Sequence, residues 1–276
     1  MTRRTLASLA LALAMALSCA LFFGCSPQSD SQASTDNRPE LVIGSDIYEP
    51  FVSLGDDGAY AGIDVELATE ACRRIGYKPV FKTIDWDNKN SILESGQVDC
   101  LWGSFTMTGR EDNYRWAGPY MYSRQVVVVR GKSGISSLSD LAGKRVGVQV
   151  SSIPEGVILK GDDPRVSEVG KVYSFSALDE MYVALRKDYV DAICGHEGAL
   201  RLFVDANPAE YTMLDESLFL SEVGVAFSKN YAGDVPEKLS SALADMAKDG
   251  TSAAILSSYG IDAEKALGGG IDEPSN

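Results

Sequence analysis

Leu93-Glu-Ser-Gly-Gln-Val-Asp99-Cys-Leu-Trp-Gly103 and Leu185-Arg-Lys-Asp-Tyr-Val-Asp191-Ala-Ile-Cys-Gly195 carry leucine, valine, aspartate and glycine at the same spacing. Each reads as the end of a helix, a polar turn, a short buried strand and a glycine at the strand's carboxyl end. In open α/β sheets ligands sit beyond such carboxyl ends. Ser104 and His196, which follow the two glycines, are therefore expected to face each other across a cleft between two similar units.

The flanking sequence repeats the alternation. A buried strand at 41–44 is followed by a Gly/Asp turn at 55–58 and a helix over 64–75, whose Leu67, Ala68, Ala71, Cys72 and Ile75 line one face until Gly76 stops it. A strand at 79–83, a short helix at 88–95 and a strand at 98–102 complete the first unit. The second begins after the β-branched run 126–129 and the turn 131–134. It reads as a short helix from Ser137, with capping-box spacing to Asp140, then strands at 146–150, 169–173 and 190–194 and helices after Ser152, at 177–187 and at 197–205. A strand at 223–227 and helices at 236–249 and 252–259 close the fold, and 267–276 reads as a frayed tail. Strands alternating with amphipathic helices indicate an α/β class with a mostly parallel sheet.

The clearest candidate site is Gly103-Ser104-Phe105-Thr106-Met107-Thr108-Gly109-Arg110. Alternation turns the three hydroxyls to one side, and Arg110 offers a planar fork suited to a carboxylate. The same arginine has a plainer use, pairing at the surface with Glu111 or Asp112. In Ser151-Ser152-Ile153-Pro154-Glu155, Ser152 and Glu155 have capping-box spacing and Pro154 suits a first helical turn. A helix opening at a strand end presents free N–H groups to an anion, or is simply capped. Asp46, Tyr48 and Phe51 follow the first strand, and Phe51 and Trp86 are candidates to wall a pocket or to fill core. His196 is the only histidine, which excludes a multi-histidine metal site; no spacing marks a catalytic carboxylate pair, and no glycine-rich phosphate loop is present. No cofactor is expected.

Hydrophobic content of 45% and 26 glycines in 276 residues describe an ordinary globular core. The N-terminus adds a location. Arg3 and Arg4 precede an apolar run over 6–23 that stops at Gly24-Cys25, the pattern of an export signal, 1–24. Cys25 resembles a bacterial lipobox cysteine that would carry lipid; the alternative is a transmembrane anchor, since roughly 18 apolar residues is the lower limit for a span. Residues 25–38 read as a flexible tether. The formal charge of −14 becomes −16 without Arg3 and Arg4, which argues against nucleic acid and anionic lipid as partners. Cys72, Cys100 and Cys194 sit among apolar neighbours and read as buried thiols, with a Cys72–Cys100 bridge open to an exported chain.

Several segments, weak singly, are specific in their order. They are Gly44-Ser-Asp46 with Tyr48-Glu-Pro-Phe51, Gly62-Ile-Asp64-Val-Glu-Leu67-Ala68, 93–99, Thr106-Met-Thr108 with Arg110, Gly118-Pro-Tyr120, 138–148 and Val190-Asp191-Ala192. With these, 41–259 resembles the extracellular solute-binding proteins, family 3, that serve polar amino acid ABC importers. The resemblance implies a two-lobed type II periplasmic-binding-protein fold with two strands as the hinge. Its first lobe would be discontinuous, 39–127 plus 224–262, the second would span 128–223, and 263–276 would be tail. It further implies that Arg110 grips the ligand's carboxylate, helped by Gly103, Ser104, Thr106 and the amides around Ser151 and Ser152, while Asp46 and Tyr48 meet the ligand side chain. Two departures stand out: Thr108 and Arg110 are one residue closer than is usual, and His196 occupies the position of an ammonium-binding aspartate.

The resulting expectation is a monomeric, non-enzymatic, membrane-tethered protein on the extracytoplasmic face that captures a small carboxylated solute for a permease. A cyclohexadienyl-dehydratase-like enzyme, with Glu155 or Glu197 as acid, and a sensor ectodomain are the alternatives. If His196 lines the cleft with an unperturbed pKa, binding should weaken as pH falls through about 6.5. Glu197 or Asp46 would then meet any ligand cation.

Overall fold

The computed structural model describes residues 36–268 except Asp162 and Ser167. The proposed signal, Cys25 and nearly all of the tether lie outside the described residues. The chain runs β1 (Glu40–Ser45), β2 (Ser53–Leu54), β3 (Tyr60–Ala61), α1 (Ile63–Ile75) and β4 (Lys78–Thr83). A 3-10 turn at Trp86–Asn88 leads into α2 (Lys89–Glu94), β5 (Cys100–Leu101) and the long β6 (Arg115–Arg130). After a second 3-10 turn at Leu138–Leu141 come β7 (Arg145–Gln149), α3 (Ile153–Lys160), β8 (Lys171–Phe175), α4 (Leu178–Arg186) and β9 (Ala192–His196). The chain ends with α5 (Glu197–Ala206), the long β10 (Tyr211–Phe227), α6 (Val235–Lys248), α7 (Thr251–Ser258) and α8 (Ala263–Ala266).

The main sheet has the order β4-β1-β5-β10-β6-β9-β7-β8. β1 is parallel to β4 and β5, and β7 is parallel to β8 and β9. Between these two parallel blocks run β6 and β10, antiparallel to each other and to the strands they border. The two segments quoted at the outset thus end in β5 and β9, equivalent strands of the two lobes, and two long strands cross between the lobes. The sheet is mixed rather than mostly parallel. The sequence suggested only short strands at 126–129 and 223–227, whereas β6 runs through Gly118-Pro119. Pro119 is tolerated inside β6 because three residues, 118–120, oppose Gly224 alone: Ala117 pairs with Val225 and Met121 with Val223. Pro119 therefore falls in a bulge where no ladder N–H is required, and Gly118 supplies the φ of 114° that this bend demands.

Val126 and Val128 pack into one buried cluster, and Val127 and Val129 into another on the opposite face. Alternate residues of a strand point to opposite faces, so a run buried on both sides is continuously apolar. In α1, Leu67, Ala68, Ala71 and Cys72 are buried, and Gly76 closes the helix at φ 77°. Cys72, Cys100 and Cys194 are free thiols in the core, so the bridge left open above is not formed. Burial pushes Cys72 and Cys194 up to about 12, which leaves them inert. One boundary needs correction: 263–266 are helical with Ala266 buried, so the ordered body continues past 262 instead of ending in tail there.

Candidate functional site

The carboxyl ends of β1, β5, β7 and β9 converge on one cavity, the place where open α/β sheets bind their ligands. β1 delivers Asp46, β5 delivers Gly103 and Ser104, β7 delivers Gln149 and Ser151, and β9 delivers His196. Tyr48, Trp86, Phe105, Thr106, Arg110, Gln125, Ser152 and Met181 also line it. The strand ends approach closely: a Cβ on Gly103 would stand 2.1 Å from Ser45 Oγ, so any larger residue here would require the buried Ser45 side chain to move. Ser104 follows at φ 49°, a left-handed conformation that non-glycine residues rarely adopt. Buried Asp64 holds it, accepting the Ser104 N–H at 2.6 Å and the Tyr120 hydroxyl at 2.9 Å. Ser104 Oγ is buried in the cavity lining without a hydrogen-bond partner among the described residues. A buried unpaired hydroxyl is costly unless a ligand satisfies it.

Arg110 reaches this cavity despite the shortened spacing. Its guanidinium donates to Thr106 O at 3.1 Å and, across the cleft, to Ser151 O at 2.7 Å, and it lies 4.9 Å from the Phe105 ring centroid. Its guanidinium is thus directed to these two carbonyls rather than to a surface pairing with Glu111 or Asp112. Burial lowers the Arg110 pKa to about 10, so the group remains a cation at neutral pH. Ser151 sits at φ 57°, and its N–H is bound by Glu155 at 2.7 Å. Ser152 caps α3, accepting the Glu155 N–H at 3.2 Å. The sequence reading of this segment as a helix start therefore holds, but some of its free N–H groups are taken internally.

Asp46 Oδ2 accepts from Gln149 Nε2 across the cleft at 2.6 Å. Burial raises its pKa to about 6, against smaller opposing effects of the Gln149 bond and the Lys89 charge. His196 is buried, with Nε2 3.2 Å from Thr106 Oγ1 and both ring nitrogens 3.0–3.1 Å from Gln125 Nε2. Its backbone N–H meets the Tyr48 hydroxyl at 3.4 Å. Burial first, and the nearby Arg110 charge second, depress its pKa to about 3. The ring is thus neutral across the physiological range, which corrects the expectation of a titration near 6.5.

Two expected site residues fall elsewhere. Glu197, one position beyond His196, begins α5 and turns away; it pairs with Arg201 at 2.8 Å and Arg124 at 3.7 Å and lines a different cavity. Phe51 is 1% exposed, packing beneath Tyr48 and His196 and lining that same second cavity. Conversely, Gln125, Gln149 and Lys89 were missed. Gln149 ends a parallel strand, a signal that was available. Gln125 was visible only as a lone amide before four valines. Lys89 looks like an ordinary surface lysine in sequence. It is buried, donates to Trp86 O at 3.2 Å, and has a pKa lowered to about 8 by burial and by Arg110.

Comparison with known proteins agrees with this architecture. The chain is 29% identical over 236 residues to the L-cystine-binding protein TcyJ of Escherichia coli (strain K12), covering 83% of this chain and 85% of the relative. It is 25% identical to the arginine-binding extracellular protein ArtP of Bacillus subtilis (strain 168), covering 86% and 92%. Among solved structures, an ancestral arginine-binding protein bound to arginine superposes with a TM-score of 0.72 at 31% identity, covering 80% of this chain and 98% of that one. The model of bacterial extracellular solute-binding proteins, family 3, matches residues 41–262. With its two parallel blocks, its crossing strands and a cavity at their carboxyl ends, this chain belongs to the bacterial extracellular solute-binding proteins, family 3.

Proposed function

We propose that this protein captures a free amino acid or a closely related small carboxylated solute between its lobes and passes it to the membrane permease of an ABC importer. The observation that carries this reading is that the Arg110 guanidinium and the Ser104 hydroxyl, which has no partner among the described residues, line the same cavity. A carboxylate between them would receive charge-assisted hydrogen bonds and satisfy the orphaned hydroxyl at once. The amino-acid-binding names of the relatives support the same solute class. Residues 39–127 with 224–262 and residues 128–223 act as the closing lobes, the protein works as a monomer, and lipid on Cys25 holds it at the outer face of the membrane.

Binding without catalysis is the favoured reading. The acids considered for a dehydratase are engaged elsewhere: Glu155 accepts from Ser151 N–H and from the Ser174 hydroxyl, and Glu197 lines another cavity. Calorimetric titration of the dialysed protein with the common L-amino acids and cystine is the direct test. Saturable binding of at least one of them is expected, with Arg110→Ala weakening it by about one to two orders of magnitude, the worth of one shielded charge-assisted bond. A solute panel without a single binder, or equal affinity in the alanine variant, would remove the proposal. For the anchor, Cys25→Ser expressed with its leader intact should leave the membrane fraction; unchanged retention there would contradict lipidation.

A further inference from the structure

We propose that the missing side chain of Gly198 sets how far the two lobes close, so that solute affinity is governed in part from a contact outside the solute cavity. This deepens the reading above and rests on it. Gly198 is the second residue of α5 and is buried in its first turn. Glycine inside a helix is a poor choice where space allows alanine, the better helix former. Gly156 in α3 has that space, with nothing within 4 Å of an added Cβ. At Gly198 the same Cβ would stand 2.9 Å from Phe51 Cζ, 3.1 Å from Ile261 Cδ1 and 3.4 Å from Phe51 Cε2. Carbon atoms pack best about 3.5–4.0 Å apart, so α5 rests on those two side chains where it has none of its own.

The two sides of this contact are anchored in different lobes. In the first lobe, the Phe51 N–H donates to Tyr48 O at 2.9 Å, and the Phe51 carbonyl accepts the Asp64 N–H at 3.0 Å at the start of α1. Its ring also lies against Tyr48 and His196, so pushing it aside disturbs two rings of the cavity wall. The Ile261 N–H donates to Leu256 O at 3.1 Å, which fixes it to the end of α7. In the second lobe, α5 is tied to α4 by the Tyr182 hydroxyl, which donates to Ala199 O at 3.0 Å, and by the stacked Tyr182 and Phe203 rings.

The lobes are joined across the cleft in this structure, with Gln149 bonded to Asp46 and Arg110 to Ser151 O. Segments 48–51 and 196–198 meet twice. At the cavity wall the Tyr48 hydroxyl meets the His196 N–H, and behind it Phe51 meets Gly198. Lobe opening draws these segments apart, and about half an ångström of separation is enough to relieve the crowding of an added methyl. A methyl at position 198 therefore burdens the closed state and leaves the open state unstrained. Such a term lowers affinity without a change in any contact to the solute.

Four full-chain variants test this: Gly198→Ala, Gly156→Ala, Phe51→Leu, and Gly198→Ala combined with Phe51→Leu. Each is titrated calorimetrically with every L-amino acid that binds the wild type, its solute release is followed by stopped flow, and it is melted without solute. Gly198→Ala is expected to weaken all of these solutes by one common factor of about tenfold, in the range of an overpacked contact. Faster release should account for the loss, and the solute-free Tm should hold or rise. Gly156→Ala should stay within about twofold of the wild type, since its methyl meets open space. Leucine lacks the Cε and Cζ atoms that crowd position 198, so the double variant should bind within about threefold of Phe51→Leu alone. Unchanged affinity in Gly198→Ala with a lowered Tm would mean that both states are crowded alike, and the inference falls. It falls equally if the loss is confined to some solutes, or is the same with phenylalanine or leucine at position 51. In each of these cases solute capture stands. A wild type that binds no amino acid removes the underlying reading and this inference with it.

Discussion

The chemistry of this cleft rests on a few buried ionisable side chains whose pH responses have opposite signs. Asp46 and Asp64 have folded-state pKa values raised by burial to about 6 and about 7 from 3.8. The folded protein therefore takes up protons that the unfolded chain releases, and both groups add stability as pH falls from 7 towards 5. His196, lowered to about 3 from 6.5, acts oppositely. The unfolded chain binds its proton first, so that stability is lost as pH falls through 6.5. Melting curves at pH 5 and 7.5 should show a smaller gain on acidification for Asp46→Asn than for the wild type, and a larger gain for His196→Gln. Identical differences in all three proteins would mean that these groups are solvated. Much of this site was legible, because strand carboxyl ends are readable: Asp46 and Ser104 lie just beyond one, His196 ends one, and Arg110 closes the hydroxyl-rich segment after β5. What was not legible depends on rotation and depth. Glu197 is one residue from His196 in sequence but lies on a helix that turns its side chain away, and Lys89 gives no sequence sign of its burial.

At the scale of elements, the segment 151–155 combines a structural cap with a binding surface. Ser152 Oγ accepts the Glu155 N–H, and the Glu155 carboxylate accepts the Ser151 N–H, fixing that residue in its left-handed conformation. The Ser151 carbonyl is thereby presented to Arg110. Ser152→Ala should cost about 1 kcal/mol of stability, the usual worth of an N-cap, and weaken solute binding only modestly. Glu155→Gln should keep the fold but loosen Ser151 and cost more in affinity than in melting temperature. A larger stability loss than affinity loss for Glu155→Gln would make the carboxylate a structural cap alone. The strand pair β6 and β10 shows the limit of sequence reading at this scale. Its apolar core over 126–129 was plain, but the bulge that lets Gly118-Pro119 continue the strand arises from pairing with Gly224, a residue 106 positions away, and no local pattern announces it.

At the scale of the whole molecule, capture depends on how the two lobes meet, and besides the contacts of Thr106 and Tyr48 with His196 three hydrogen bonds join them. Gln149 donates to Asp46 at 2.6 Å, Arg110 to Ser151 O at 2.7 Å, and Ser151 Oγ to Asp87 at 3.3 Å. Each joins a residue before β6 to one after it, so each is lost when the lobes separate about the crossing strands. A contact present only in the closed state shifts the open–closed equilibrium by its own free energy and leaves the open state untouched. Gln149 is the cleanest to remove, because its partner is a carboxylate and it carries no charge of its own. A hydrogen bond to a charged group is worth roughly 1.5–3 kcal/mol, so Gln149→Ala should speed solute release about tenfold or more. The association rate should change less than about twofold, since the solute first docks on an open lobe and related complexes differ mainly in dissociation. Stopped-flow mixing with a bound solute chased by excess competitor separates the two rates. Slower association with unchanged release would instead mean that Gln149 helps form the docking surface and that closure is held by Arg110 and Ser151 without it.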